Sequence, residues 1–228
     1  MQVLLLCDKI FLVIEMRLRN VKNKEEILAN SNYLVKNPKD YRGKWNKLFK
    51  NTNPIFIEIG MGKGKFIIEN AIKYPDINFI GIEKYSSVVA KCLPKIPEGL
   101  DNLFIINIDA MEIDDVFSNE IDRIYLNFSD PWPKVRHSLR RLSSRLFLGK
   151  YDFLFKNDKS IFMRTDNQDL FIYSLESFSE YGYVLKNISF DLHKDSEDEL
   201  ITTEYEDKFS GKGMPIYAVE AIMSKKSK

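Results

Sequence analysis

Three consecutive apolar runs in this chain each end in an acid, and this repeated pattern constrains the fold more than any other feature. Ile55-Phe56-Ile57-Glu58-Ile59 carries Glu58 at its end, Asn78-Phe79-Ile80-Gly81-Ile82 is followed by Glu83, and Leu103 to Ile108 is followed by Asp109. A fourth run, Ile121 to Leu126, leads into Asp130. Short, β-branched and aromatic runs separated by helix-prone stretches mark a parallel sheet covered on both faces. Strands are expected at 55–59, 78–82, 103–108, 121–127, 160–164, 184–190 and 216–223, with helices near 64–73, 86–93, 112–117, 143–156 and 168–180. The last two strands follow each other without space for a crossover helix, so the final strand should run antiparallel. The expected fold is therefore α/β, a mostly parallel, doubly wound sheet with an antiparallel final strand. In such sheets, ligands bind beyond the carboxyl ends of the strands, where these acids stand.

A chain of 228 residues fits one such domain. Its formal net charge of +1 and pI near 7.6 exclude a wholly basic binder, so any nucleic-acid contact must be a patch. The only cysteines are Cys7 and Cys92 and the only histidines His137 and His193, which supports neither a disulfide framework nor a metal site. A reducing, cytoplasmic setting is expected. Residues 1–15 are apolar but interrupted by Asp8 and Lys9, too short to span a bilayer, which takes about 20 apolar residues, and lack the flanks of a signal peptide. They read as an extension preceding a start at Met16, or as an extra element packed on the domain. Residues 16–50 form a polar N-terminal arm with a turn cluster at Asn37 to Gly43, and 51–228 the main domain.

After the first run comes Gly60-Met61-Gly62-Lys63-Gly64-Lys65, a glycine turn that opens a helix. Nucleotide-type cofactors bind at that junction. A dinucleotide fingerprint would need glycine where Lys65 stands, and Glu58 would repel a pyrophosphate. A carboxylate there suits a cationic amino-acid group instead, which favours S-adenosylmethionine over NAD. Glu83, about 20 residues on, is placed for a ribose diol, and Asp109 for an adenine amino group.

Asn127-Phe128-Ser129-Asp130-Pro131-Trp132-Pro133 reads as an active-site loop. The two prolines remove backbone donors and fix φ, and Trp132 is either a base-stacking platform or a core aromatic beneath the loop. Lys134, Arg136, His137, Arg140, Arg141 and Arg145 follow, a cationic run that points to a polyanion. Asp166 either caps the helix that begins near Asn167 or meets substrate. Thr203, Glu204, Tyr205 and Glu206 lie in an acidic stretch from Asp195 to Asp207, expected as a solvated loop whose acids face bases or cofactor rather than RNA backbone. His193 reads as structural, and the lysines at 212, 225, 226 and 228 as charge balance or solubility.

These residues resemble the bacterial tRNA (guanine-N7-)-methyltransferase family. The likeness rests on Glu58 to Gly64, Asn127 to Lys134 with Arg136-His137 and Arg140-Arg141-Leu142, Arg164-Thr165-Asp166, and Thr203 to Phe209, and it extends over nearly everything from Met16 onward. The resemblance implies a Rossmann-like class I methyltransferase that uses S-adenosylmethionine to methylate N7 of a guanine in the tRNA variable loop. It implies Glu58, Gly60, Gly62, Glu83, Asp109 and Asp130 as cofactor-pocket positions, with Asp130 also catalytic. It implies Lys134, Asp166 and Thr203 to Glu206 as substrate-binding positions, and Arg136, His137, Arg140 and Arg141 as part of an RNA-contacting loop. Leu139 departs from the family, which commonly carries a basic residue there, and residues 1–15 have no counterpart. The alternative is an exocyclic-amino nucleic-acid methyltransferase, whose loop typically reads Asp-Pro-Pro-Tyr; here Trp132 replaces the second proline. A non-catalytic RNA-binding scaffold and a small-molecule methyltransferase rank below it.

Overall fold

The computed structural model describes residues 21–196, 199–210 and 213–224. The apolar N-terminal segment and the lysines at 212, 225, 226 and 228 lie outside the described residues. Seven strands form one sheet: β1 (Ile55–Ile59), β2 (Asn78–Ile82), β3 (Leu103–Ile106), β4 (Arg123–Asn127), β5 (Lys159–Thr165), β6 (Val184–Ser189) and β7 (Tyr217–Met223), in the order β3-β2-β1-β4-β5-β7-β6. The five strands from β3 to β5 pair in parallel, while β7 inserts antiparallel between β5 and β6. The order reverses direction between β1 and β4, which opens a crevice at their carboxyl ends.

The helices that cover the sheet are α1 (Lys24–Asn30), α2 (Trp45–Phe49), α3 (Lys65–Lys73), α4 (Ser86–Cys92), α5 (Ile113–Val116), α6 (Arg145–Tyr151), α7 (Gln168–Tyr181), α8 (Leu192–Asp195) and α9 (Glu204–Ser210). Because side chains alternate across a strand, the central strands feed two cores. Ile57, Ile59, Ile124 and Leu126 pack on one side with Phe147, Leu148, Phe171 and Phe178 of α6 and α7. Phe79, Leu103 and Ile105 pack on the other with Phe66, Ile67 and Val89 of α3 and α4. Gly81 on β2 lets that second core pack closely, since a Cβ there would lie 2.3 Å from the Met61 sulfur.

Boundaries shift where side chains take over backbone bonds. β3 stops at Ile106 because the Asn107 amide turns back to donate to the Glu83 and Lys84 carbonyls at 2.7 and 2.9 Å. The helix expected at 143–156 is only α6, preceded by Ser143, whose hydroxyl meets that of Ser174 at 2.6 Å, and Ser144, whose hydroxyl donates to the Leu139 carbonyl. β6 ends the sheet with a bulge at Asn187, whose φ is 50°.

The described part of the arm is built into the domain. Val35 N–H donates to the Ile105 carbonyl and Ile105 N–H to the Tyr33 carbonyl, so the arm lies along the outer side of β3. Trp45 is fully buried, and its indole N–H reaches the Val116 carbonyl at 3.1 Å. Glu120 accepts from the N–H groups of Gly43 and Trp45. Trp45→Ala should therefore cost about 3–5 kcal/mol, the usual penalty for emptying a buried aromatic site. A denaturant melt of the purified variant measures it; a loss below about 1 kcal/mol would show that the arm is peripheral.

Candidate functional site

The glycine turn opens the site. Gly60, Gly62 and Gly64 all have positive φ (80°, 58° and 85°), a conformation that costs glycine little. At Gly64 the requirement is also steric, because a Cβ would lie 2.3 Å from the Cys92 sulfur. The turn is held by Gly60 and Met61 N–H groups donating to the Ile82 carbonyl, and by Gly62 N–H donating to Glu83 Oε2 at 3.2 Å. The second Glu83 oxygen accepts from Tyr85 N–H at 2.9 Å. Glu83 thus stands at the end of β2 with its carboxylate tied to the turn.

Glu58 is almost wholly buried at the end of β1. Its Oε1 accepts from the Asn127 amide on β4 at 2.9 Å, whereas its Oε2 and the Asn127 Oδ1 have no hydrogen-bond partner within the protein. Burial pushes the Glu58 carboxyl up to about 7, against the opposing pull of Asn127 and Arg164. Burial also raises Glu83, and Asp130 adds to that rise. Asp130 is itself raised by burial of its carboxyl, partly offset by Lys84, although the residue as a whole is exposed at the rim. Glu58 is thus raised further by Glu204 and Glu83, and Glu83 by Asp130, so these acids lie within one another's field, with Arg164, Lys84 and Lys95 as the opposing charges. Buried acceptors without a protein donor, close to the acids Glu83 and Glu204, have the chemistry to take an ammonium or sulfonium group, so the residues present fit a cationic nucleoside cofactor. Asp109 differs from these acids in part: burial opposes its charge, but its 2.8 Å ion pair with Lys84 and the Met111 N–H hold its carboxyl below the ordinary value.

The Asp130 loop is strained and clamped. Phe128 and Trp132 have φ of 51° and 42°, in the left-handed region, at a cost of about 1–3 kcal/mol each for non-glycine residues. Phe128 N–H donates to the Arg164 carbonyl, and its ring meets Tyr205 at 5.1 Å. Trp132 lies between the Arg140 guanidinium, 5.0 Å from its ring centre, and the His137 ring, edge-on at 5.8 Å. It is neither a core residue nor a bare stacking surface. Arg136 and Arg140 are exposed on a 3₁₀ turn spanning Val135–Arg140, with Lys134 as its N-cap. His137 on the same turn is lowered by slight desolvation and by the neighbouring Arg140, Arg136 and Lys134 charges. Arg141 turns inward, unlike the solvent-facing phosphate contact expected: its guanidinium donates to the Pro131 and Trp132 carbonyls at 3.0 and 3.1 Å.

The segment from Thr203 is not the solvated loop expected from its acidity. Thr203 Oγ1 accepts from Glu206 N–H at 2.9 Å while Glu206 Oε2 accepts from Thr203 N–H at 3.3 Å, a capping box that starts α9. Glu206 is fully buried against Arg164 and His193, so its carboxylate faces neither base nor solvent. Glu204, by contrast, reaches over the glycine turn to Lys65 N–H at 3.4 Å and pairs with Lys95 at 2.6 Å. Lys65 also bonds Thr202 and pairs with Asp207. Asp166 does not cap α7; Asn167 does, accepting from Leu170 N–H, and Asp166 accepts from the Tyr205 hydroxyl at 3.0 Å.

Glu58, Glu83, Asp130 and Glu204 thus feel one another's charge, Gly62 is bonded to Glu83, Asp166 pairs with Tyr205, and Lys134, Arg136, His137 and Arg140 follow on the turn after the Asp130 loop. Asn127, Lys65 and Arg164 belong to motifs the sequence already marks, but their partners, like those of Lys84, appear only in the fold. The Arg164 contacts depend on Ile201 and Glu206 arriving from far along the chain.

Comparison with known proteins agrees with this geometry. A family described as putative methyltransferases matches residues 52–219. The chain is 49% identical over 213 residues to the tRNA (guanine-N(7)-)-methyltransferase of Lachnoclostridium phytofermentans, covering 92% of this chain and all of that protein. It is 49% identical to the enzyme of the same name from Bacillus subtilis, over 90% of this chain and 98% of that protein. Among solved structures, the 16S rRNA methyltransferase KamB superposes with a TM-score of 0.59 at 12% identity, over 80% of this chain and 94% of that one, a likeness of fold. On the strength of these alignments, this chain belongs to the tRNA (guanine-N(7)-)-methyltransferase family.

Proposed function

We propose that this protein transfers the methyl group of S-adenosylmethionine to N7 of a guanine in the variable loop of tRNA. The observation that carries the reading is the group of acids Glu58, Glu83 and Asp130 by the glycine turn, followed by the exposed cations of the Val135–Arg140 turn. S-adenosylmethionine supplies a methyl group already activated on a cationic sulfur. Glu58 Oε2 and Asn127 Oδ1 accept from the ammonium of its amino-acid part, and Glu83 accepts from the ribose hydroxyls. Asp109, which pairs with Lys84, accepts from the adenine amino group in this reading.

Guanine N7 holds an in-plane lone pair, so transfer needs alignment more than a base. Asp130 holds the guanine through its N1 and N2 donors, or offsets the positive charge that grows on the purine. Arg136 and Arg140 meet the phosphates of the tRNA, and the Asp166–Tyr205 pair borders the base on the opposite side. Work on tRNA would place the protein in the cytoplasm; among the described residues no helix is long and apolar enough to cross a membrane. The alternative, methylation of an exocyclic amino group, is disfavoured by the family and by Trp132 in the loop.

Asp130→Ala should abolish most methyl transfer to unmodified tRNA while the melting temperature holds, since the residue lies on a loop. Nucleoside analysis of the product from the parent enzyme should yield 7-methylguanosine; a methylated exocyclic amine would establish the alternative instead. Replacing Arg136 and Arg140 together should lower the salt dependence of tRNA binding by roughly one unit per lost phosphate contact, with cofactor affinity unchanged. An unaltered slope would mean that the turn faces solvent.

Glu58 gives a pH signature. Its carboxyl lies at about 7 in the fold against an ordinary 4.5, so the folded state prefers it protonated. In ligand-free protein the stability is full below 4.5 and falls as pH rises through 7, by on the order of 3 kcal/mol at about 1.4 per unit. A bound ammonium reverses this preference, so S-adenosylmethionine affinity should rise with pH up to about 7 and then level. Glu58→Gln should abolish both trends and weaken cofactor binding at pH 8 while raising the apo melting temperature there. Calorimetric titration at several pH values tests this, and a pH-independent affinity in the parent would contradict it.

A further inference from the structure

Arg141 makes contacts that a phosphate-binding arginine would not. Pro131 and Pro133 carry no N–H, so the loop around Asp130 has little backbone with which to stabilise itself. The left-handed turn at Trp132 leaves the carbonyls of Pro131 and Trp132 within reach of one donor group. Arg141 supplies it: Nε donates to Pro131 at 3.0 Å and a terminal nitrogen to Trp132 at 3.1 Å. The guanidinium plane also lies 4.2 Å from the ring centre of Tyr173 on α7. That helix is fixed in turn to the chain just after the loop, since the Ser174 hydroxyl meets Ser143 and the Ser177 hydroxyl donates to the Ser143 carbonyl. A rigid fork of donors joins the strained loop to a rigid helix, a task that lysine, with a single ammonium, does not reproduce.

We infer that Arg141 is a positioning residue for methyl transfer: by clamping the Pro131 and Trp132 carbonyls against Tyr173, it holds the Asp130 carboxylate in register with the cofactor crevice. This rests on the reading of Asp130 given above. It separates Arg141 from its neighbour Arg140, whose guanidinium lies on the outer side over Trp132 and is exposed.

The test compares Arg141→Ala, Arg141→Lys and Arg140→Ala in the full chain, measuring single-turnover rate at saturating tRNA, the KM for tRNA and its salt slope, S-adenosylmethionine affinity and melting temperature. Both Arg141 variants should lose roughly 10- to 100-fold in rate, the scale of a catalytic group displaced by about an ångström. Their tRNA KM, salt slope and cofactor affinity should remain within about two-fold of the parent. Arg140→Ala should do the reverse, with a raised KM and a shallower slope. In an Asp130→Ala background, Arg141→Ala should add no further loss, because it acts through that carboxylate. A raised KM and shallower slope with an intact rate would make Arg141 a phosphate contact and overturn the inference, as would losses that multiply with Asp130→Ala or a fall in cofactor affinity and melting temperature together. Full turnover by Asp130→Ala alone would instead overturn the reading of Asp130, leaving the rate-against-KM split of the Arg141 variants to decide whether the clamp serves another group of the loop.

Discussion

The hydrogen bond from the Asn127 amide to Glu58 joins the two strands between which the sheet reverses its order, and the chemistry of the crevice depends on it. A buried carboxylate is expensive unless neighbouring groups stabilise its charge. Here one oxygen is satisfied by Asn127, while the other has no hydrogen-bond partner in the protein, which is why the proposed cofactor contact falls on Glu58. Arg164 offsets part of the cost from β5 without closing on Glu58, because its own donors go to Ile201 and Glu206.

Much of this could be read from the chain before any coordinates. Strands β1, β2, β4 and β5 and helix α7 stand within two residues of where apolar periodicity put them, since each is a strong pattern bounded by glycine, proline or an acid. The strand-end acids followed from the same pattern, because a parallel sheet sends every carboxyl end to one edge. What could not be read depends on distant partners. The acidity of 195–207 suggested a solvated loop, yet Glu206 is buried against Arg164 and His193, and Lys65 and Lys95 draw Asp207 and Glu204 onto the glycine turn. Arg141 looked like its neighbours in a basic run, and only the fold of the Pro131–Pro133 segment reveals that its side chain points inward.

Arg164 also joins two parts of the site that are far apart in sequence. Its carbonyl receives the Phe128 N–H at the root of the Asp130 loop, while its guanidinium holds Glu206 in the capping box of α9. Phe128 and Tyr205 then meet directly. The loop that presents Asp130 and the helix that reaches over the glycine turn are thus seated on one buried arginine, the first on its backbone and the second on its side chain, so disturbance of either should be felt by the other.

The arm along β3 has a consequence at the opposite side of the molecule. An open strand edge offers unpaired N–H and C=O groups to any passing chain, and proteins that must remain soluble obstruct such edges. Tyr33 to Val35 occupy part of the β3 edge, which leaves β6, among the described residues, as the unpaired margin of the sheet. That margin carries Val184 and Ile188 facing outward, a composition that invites pairing, but it is broken by the bulge at Asn187 and by the exposed charge of Lys186. An irregularity of this kind, with a charge beside it, interrupts the regular row of backbone groups that edge-to-edge pairing requires.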